Sequence, residues 1–220
     1  MMMSLFSIFD PSSSYYFHFF WFSIPIILFF LTPSFWLNPP QFFYSLILIN
    51  KALFKEFKPL IMNSIAKSSM VLVCSLFIFI LLSNLIGLLP YVFTSTSHMM
   101  ISMSMAFPFW MSSFLYSWIN HTKHALAHLT PLGTPPALMM FMVLIELISA
   151  LIRPITLSIR LSANMIAGHL LISLITSCNI SLFVMIPILS NILLMTLETA
   201  VAFIQAYVFS ILITLYISEV

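Results

Sequence analysis

Charged side chains occur at regular steps in a part of the chain that is otherwise apolar. Glu146, Arg153 and Arg160 are spaced by seven residues within a long apolar stretch. Seven residues fall about 20° short of two full helical turns, so these side chains share one face of a helix. Asn164, four residues beyond Arg160, joins that face. A charge among lipid tails costs about 2.5–3.5 kcal/mol on insertion scales, so this row predicts a functional site.

The next apolar stretch carries a second row of polar side chains. Gln205 and Glu219 follow Glu198 by seven and twenty-one residues, so the three side chains again share a broad face of a helix. His169 lies nine residues from Arg160, about 180° around a helix, and is expected to address Glu198 instead. An imidazole near a carboxylate can pass protons at neutral pH. Arg160 stays protonated, so a fixed charge beside titratable groups predicts a gate.

Plainer interpretations of these residues compete with the gate. The charges could form ion pairs that only orient the helices, for example Arg160 with Glu198. The spacing of His121, His124 and His128 would suit a metal, but no carboxylate or thiol lies nearby, which favours ordinary interfacial histidines. Three glycines cannot build a phosphate-binding loop. We therefore expect no metal, no cofactor and no nucleotide.

The composition places all of these residues in a membrane. Hydrophobic residues make up 62% of the 220 residues and charged residues only 5%, against roughly 25% charged residues in a soluble domain. The few basic residues form no stripe with stacking aromatics, so no nucleic acid is expected as a partner. We predict one membrane domain over residues 1–220, with an N-terminal part at 1–67, two spans in 68–120 and a hairpin at 136–218.

Three stretches are predicted to cross the membrane as helices, at residues 15–32, 68–89 and 99–119. The segment 39–67 mixes apolar side chains with lysines and suits an amphipathic helix on the membrane surface. In this topology all lysines fall on one side of the membrane, as the positive-inside rule expects, and the N-terminus lies on the other side. These lysines are Lys51, Lys55, Lys58, Lys67 and Lys123.

The two C-terminal stretches are too long for upright helices. Residues 136–176 would form about 60 Å of helix, twice the thickness of the apolar core of a bilayer. Residues 183–218 would add about 54 Å after a turn at 177–181. Each stretch therefore either bends, near Pro154 or Pro187, or lies steeply tilted. The predicted fold is an all-α integral membrane protein with about three crossing helices, one interfacial amphipathic helix and a long tilted C-terminal hairpin.

The residues around Arg160 also resemble a known family. The segment SIRLSANMIAGHLL at 158–171 closely resembles the signature of ATP synthase subunit a. Three further segments are similar to that family in the same order: NLIGLLP at 84–90, LTPLGTP at 129–135 and LETAVAFIQAYVF at 197–209. The resemblance is good over roughly residues 84–217 and weak over the first 80.

The resemblance implies a stator subunit that lies beside a rotating ring of c subunits and supplies it with two offset aqueous half-channels. It implies that Arg160 is the essential arginine that separates them, and that Glu146 serves the matrix exit. The entry half-channel would be lined by His169, Glu198, Asn164 and Gln205, with Glu219 a weaker member. The order of His169 and Glu198 is similar to the mitochondrial version, since bacterial relatives have these two residue types exchanged.

The same resemblance implies a multi-pass protein of the mitochondrial inner membrane. Its N-terminus would face the intermembrane space and its lysine-rich segments the matrix. The partners would be the c-ring, other stator subunits of the Fo sector and the lipid bilayer. The chain itself would bind no nucleotide and would not be an enzyme alone.

Two other classes of function remain open at this point. A stand-alone ion channel or secondary transporter could also use intramembrane Arg and Glu side chains, although no inverted repeat supports it. An electron-transfer subunit with haem would need axial histidines on facing spans, whereas the clustered histidines lie near a loop. Copurification with a c-ring and the absence of a haem spectrum would separate these alternatives.

Overall fold

The computed structural model describes residues 9–11, 23–30, 40–60, 66–89, 92–120, 122–130, 136–177 and 185–218. Within these ranges the ordered elements are helices and no strand occurs, which confirms the all-α prediction. A short 3₁₀ turn, Ser95–Ser97, precedes the fourth helix. The helices are α1 Ser23–Phe30, α2 Gln41–Phe57, α3 Ala66–Gly87, α4 Met99–Asn120, α5 Thr122–Leu129, α6 Pro136–Ser177 and α7 Met185–Ser218.

The amphipathic segment near the N-terminus is shorter than the sequence predicts. α2 begins directly after Pro40, ends at Phe57 and is followed by a turn, while Lys67 belongs to α3. Leu53 and Phe57 are buried in the core that α2 shares with α3. The outer side of this segment exposes Lys51, Lys55 and Lys58. The lysines therefore lie opposite the buried side chains, on a face that also exposes Tyr44 and Leu48.

Three of the described helices are long and apolar enough to cross a membrane: α3 at Ser69–Gly87, α6 at Leu138–Ser177 and α7 at Pro187–Ser218. The helix predicted at 99–119 is present as α4, but its five serines and Pro108 make it less apolar, so its crossing stays a prediction. Of the span predicted at 15–32, only 23–30 lies within the described residues, where it is helical.

The C-terminal pair of helices has the predicted length. α6 has 42 residues and α7 has 34 residues, about 63 Å and 51 Å of helix. α6 runs through Pro154, and Pro187 lies in the first turn of α7, where a helix tolerates proline. Neither proline therefore ends a helix, and both helices exceed the roughly 30 Å core of a bilayer. The predicted turn at 177–181 lies, apart from residue 177, outside the described residues.

Close helix packing holds this pair in place. α7 packs on α3, and α6 packs on α4 and on α7. The core between them contains Leu157, Leu161, Phe209 and Ile213 together with apolar side chains of α3. Ser158 is fully buried there and its hydroxyl donates to the Ile155 carbonyl oxygen at 2.8 Å. Small side chains let helices approach closely, which is how helices associate inside lipid.

Candidate functional site

A cavity of about 180 Å³ lies between α6 and α7 and is closed on one side by the end of α3. Most of its wall is apolar, formed by side chains such as Leu161, Met165 and Ala202. Five polar side chains line it: Asn84 from α3, Asn164 and His169 from α6, and Glu198 and Gln205 from α7. Four of these five are the residues that the sequence predicts for one proton path.

The contacts along α6 and α7 define how the two helices are aligned. The Asn164 side-chain amide donates to Gln205 Oε1 at 3.2 Å. Gly168, four residues further along α6, faces Glu198, which lies seven residues earlier in α7. The pair is therefore antiparallel, and the two predicted polar rows do meet.

Glu198 is the most unusual side chain of the cavity. Its residue is only 9% exposed, and neither carboxylate oxygen has a hydrogen-bond partner among the described residues. The carboxylate packs against Gly168, where a Cβ atom would lie 2.6 Å from Oε1. Only glycine leaves room for the carboxylate at this point of α6. Buried polar groups are normally hydrogen-bonded to protein or water, so both carboxylate oxygens have unused capacity to accept from water or another donor.

The other polar side chains of the cavity also have hydrogen-bonding capacity in reserve. The imidazole of His169 lies beside the backbone of Gly87, and its Nε2 is buried without a described partner. The same holds for Oδ1 of Asn84 and Nε2 of Gln205. His169 and Glu198 line one cavity, as predicted, but they form no direct hydrogen bond. The space is large enough for several water molecules between them.

Arg160 lies outside this cavity on an exposed surface of α6. No ion pair or hydrogen bond joins it to any residue that the structure describes. Glu198 lies level with Gly168, eight residues or about 12 Å along α6 from Arg160. The ion pair between Arg160 and Glu198, weighed as an alternative above, is therefore not formed. The exposed residues one turn from the arginine on α6 are Thr156, Ala163 and Asn164.

The predicted row along α6 continues to the other end of the hairpin. Arg153 approaches Glu146 with an N–O distance of 4.0 Å, and both side chains are half-exposed. The Arg153 guanidinium also lies over the ring of Tyr216, 5.9 Å from its centroid. The common face of Glu146 and Arg153 is thus confirmed, and Arg153 also contacts α7 through Tyr216.

The structure does not describe Glu219 or the side chains of the histidine cluster. Glu219 and His121 lie outside the described residues, and the side chains of His124 and His128 in α5 are likewise not described. Their predicted roles stay predictions.

Sequence reasoning missed two residues of the cavity. Asn84 is 1% exposed and comes from α3, a third helix that no heptad pattern links to the other two. Gly168 contributes space for the Glu198 carboxylate, because it has no side chain. The available signals were an isolated amide in the uncharged span 68–89 and a glycine in a chain that has only three.

Comparison with known proteins gives consistent matches over the whole chain. The family model of the ATP synthase A chain matches residues 17–218. ATP synthase subunit a of Artemia franciscana is 52% identical over 224 residues, covering 100% of both chains. The proteins of the same name from Anopheles gambiae and Drosophila melanogaster are 49% and 48% identical, with the same full coverage.

Proposed function

The chain belongs to the ATP synthase A chain family, and we propose that it is the proton-translocating stator subunit of a rotary F-type ATP synthase. In this role it supplies two half-channels to a ring of c subunits, and Arg160 separates them. It binds no nucleotide and is not an enzyme by itself. Its partners are the c-ring, other stator subunits of the Fo sector and lipid.

One observation carries the proposal: a buried, unpartnered Glu198 carboxylate lies in a cavity about 12 Å along the hairpin from the exposed Arg160. A structural ion pair would bring the two charges together. A proton path needs a titratable group that water can reach and a separate fixed charge beside the partner that takes the proton. Glu198 lies in a cavity with room for water, and Arg160 is a fixed charge on a separate, exposed part of α6.

The cavity forms the inner part of the entry half-channel. His169 and Glu198 can each take up and release a proton, whereas Asn164 and Gln205 can only donate and accept hydrogen bonds. The amide pair, joined at 3.2 Å, lies on the Arg160 side of Glu198. Protons therefore pass from water to His169 and Glu198, and then along water held by the amides toward the ring.

Arg160 acts on the ring through its permanent charge. A ring carboxylate that turns toward it is attracted only in its deprotonated form, because an opposite charge nearby favours the ionised state. The carboxylate must therefore release its proton before it passes the arginine and gain another after it. Direct proton flow between the two half-channels is blocked there, so that proton flow requires rotation.

The exit half-channel lies along the other half of the hairpin. Glu146 lies fourteen residues, about 21 Å of helix, from Arg160 on the same face of α6. Its half-exposed carboxylate can pass protons to the water of the matrix. Arg153 holds Glu146 at 4.0 Å and fixes its place on this face.

The proposed location is the mitochondrial inner membrane, which the chain crosses several times. Its N-terminus faces the intermembrane space. The lysine-rich surface of α2 faces the matrix, where Lys51, Lys55 and Lys58 can meet anionic lipid headgroups.

Disulfide cross-linking tests the central partner. In the assembled complex, with Cys74 and Cys178 replaced by Ser, we place a cysteine at Ala163, which is exposed one turn of α6 beyond Arg160. A second cysteine is placed on the c-subunit helix beside its carboxylate. Oxidation should cross-link Ala163→Cys to the ring. The control Ser158→Cys, fully buried on the opposite side of α6, should give no product.

A different outcome would favour a stand-alone channel. Equal cross-linking at both positions, or none at Ala163→Cys, would mean that the Arg160 face does not meet a ring. Proton conduction by the purified chain alone would then support the channel.

A further inference from the structure

The polar row on α7 extends beyond Glu198, in the direction away from Arg160. Asn191 precedes Glu198 by seven residues and Gln205 by fourteen, so all three share one face of α7. Leu194, one turn from Asn191, already lines the cavity. Asn191 thus continues the line of the cavity toward the start of α7.

Burial changes steadily along this row. Asn191 is half-buried, Glu198 is 9% exposed and Gln205 is 5% exposed. The apolar residues on both sides of Asn191, such as Ile188 and Ile192, are exposed. Asn191 therefore lies on the face of α7 that lines the cavity, at the point where side chains become accessible from outside the helix pair.

The amide of Asn191 has hydrogen-bonding capacity that the described protein does not use. Its Oδ1 is buried and has no described partner. By the alignment of the hairpin, Asn191 lies level with the last residues of α6, where Thr176 and Ser177 carry hydroxyl groups. These hydroxyls donate to carbonyl oxygens of α6 and keep their own oxygen atoms available as acceptors for water. The end of the hairpin is therefore polar on both helices.

The wall of the cavity beside Gly87, level with Met165 and His169 of α6, is closed by packing. A Cβ atom on Gly87 would lie 3.2 Å from Thr94 and 3.3 Å from Met165, so these atoms leave little space between them. The Thr94 hydroxyl donates to Ser97 Oγ at 3.1 Å, and the Ser97 hydroxyl donates to the Thr94 carbonyl oxygen at 2.7 Å. Thr94 and Ser97 are both buried, whereas Thr176 at the end of the hairpin is exposed. The end of the hairpin near Asn191 is therefore better suited as the opening of the cavity to water.

We propose that Asn191 is a positioning residue of the proton entry path, where its amide holds water at the outer end of the cavity. The inference rests on the proposed function. Asn191 and Glu198 are about 10.5 Å apart along the helix, a distance that about four hydrogen-bonded steps of roughly 2.8 Å can bridge. An amide both donates and accepts hydrogen bonds and carries no charge, so it orders a water chain without trapping a proton.

The test compares three variants of the complete Fo complex in vesicles: Asn191→Leu, Asn191→Gln and the neighbouring control Ser190→Ala. Ser190 donates its hydroxyl to the Pro187 carbonyl oxygen and lies off the row. The readout is passive proton conductance per assembled complex. We expect Asn191→Leu to lower conductance about tenfold, the loss equivalent to one water-mediated hydrogen bond in the path. Asn191→Gln should keep at least half of the conductance, and Ser190→Ala should keep all of it.

Two outcomes would overturn the inference. Unchanged conductance in Asn191→Leu would show that the path does not pass this residue. Equal losses in Asn191→Leu and Asn191→Gln would show a role in packing, because glutamine keeps the amide but not the shape. A parallel Glu198→Gln variant separates this inference from the proposed function. If Glu198→Gln also conducts normally, the proposed function itself fails.

Discussion

The contact between Gly168 and Glu198 allows a change of one methyl group to test the entry path. In Gly168→Ala the new Cβ would lie 2.6 Å from Glu198 Oε1 and 2.8 Å from Cδ. Ordinary van der Waals contact begins at 3.4 Å, so the oxygen must move by at least 0.8 Å, the difference between 3.4 and 2.6 Å. The carboxylate is the far end of a flexible side chain and can rotate away. The helix should survive, since alanine favours a helix over glycine by up to about 1 kcal/mol.

The expected effect is on proton transfer and not on folding. A misplacement of about 1 Å costs on the order of a hundredfold in a catalytic site, so we expect proton-driven ATP synthesis to fall between about tenfold and a hundredfold. The assay is ATP synthesis by vesicles under an imposed proton gradient, normalised to the amount of assembled complex. Assembly should equal that of the unmodified chain.

A second substitution should restore part of the ATP synthesis that Gly168→Ala removes. Glu198→Asp shortens the side chain by one C–C bond, about 1.5 Å, and takes the carboxylate away from the added methyl group. The double variant should therefore be more active than Gly168→Ala alone. Full activity in Gly168→Ala, or a double variant no better than Gly168→Ala, would refute the reasoning that this contact positions the carboxylate.

Two further predictions concern residues that hold the structure. Arg153→Gln removes a half-exposed ion pair and the contact with Tyr216; it should lower stability by no more than about 2 kcal/mol and leave at least half of the coupled synthesis. Synthesis as low as in an Arg160 variant would contradict this. Phe57→Ala removes a ring that is 1% exposed and stacks on Tyr207 at 6.4 Å; it should destabilise the complex by about 3 kcal/mol. The measurement is its thermal transition in detergent, and the exposed Leu60→Ala should stay near the unmodified value.

The chemistry of the hairpin was predictable because it follows from helical periodicity. Steps of seven residues placed Glu146 and Arg153 on one face, and the structure shows them 4.0 Å apart. The same reasoning brought the rows of α6 and α7 together, which the contact between Asn164 and Gln205 confirms. Charges in lipid are costly enough that few positions carry them, so each one is informative.

The alignment of the two helices was not predictable from periodicity. Apolar side chains on all sides of α6 and α7 allow several alignments, including the one that would pair Arg160 with Glu198. The space above Gly168, which only a glycine can provide, favours the observed alignment. The contribution of Asn84 depends on where α3 ends, and such a contact between distant segments leaves no repeat in the sequence.

Coupled synthesis in an Arg160→Ala variant decides whether one fixed charge separates two proton paths. The measurement is ATP synthesis driven by an imposed proton gradient in vesicles that contain the complete synthase. We predict no synthesis from Arg160→Ala, although the assembled complex and its ATP-binding sector are intact, because the ring carboxylates lose the charge that makes them release protons. Normal coupled synthesis in Arg160→Ala would contradict it.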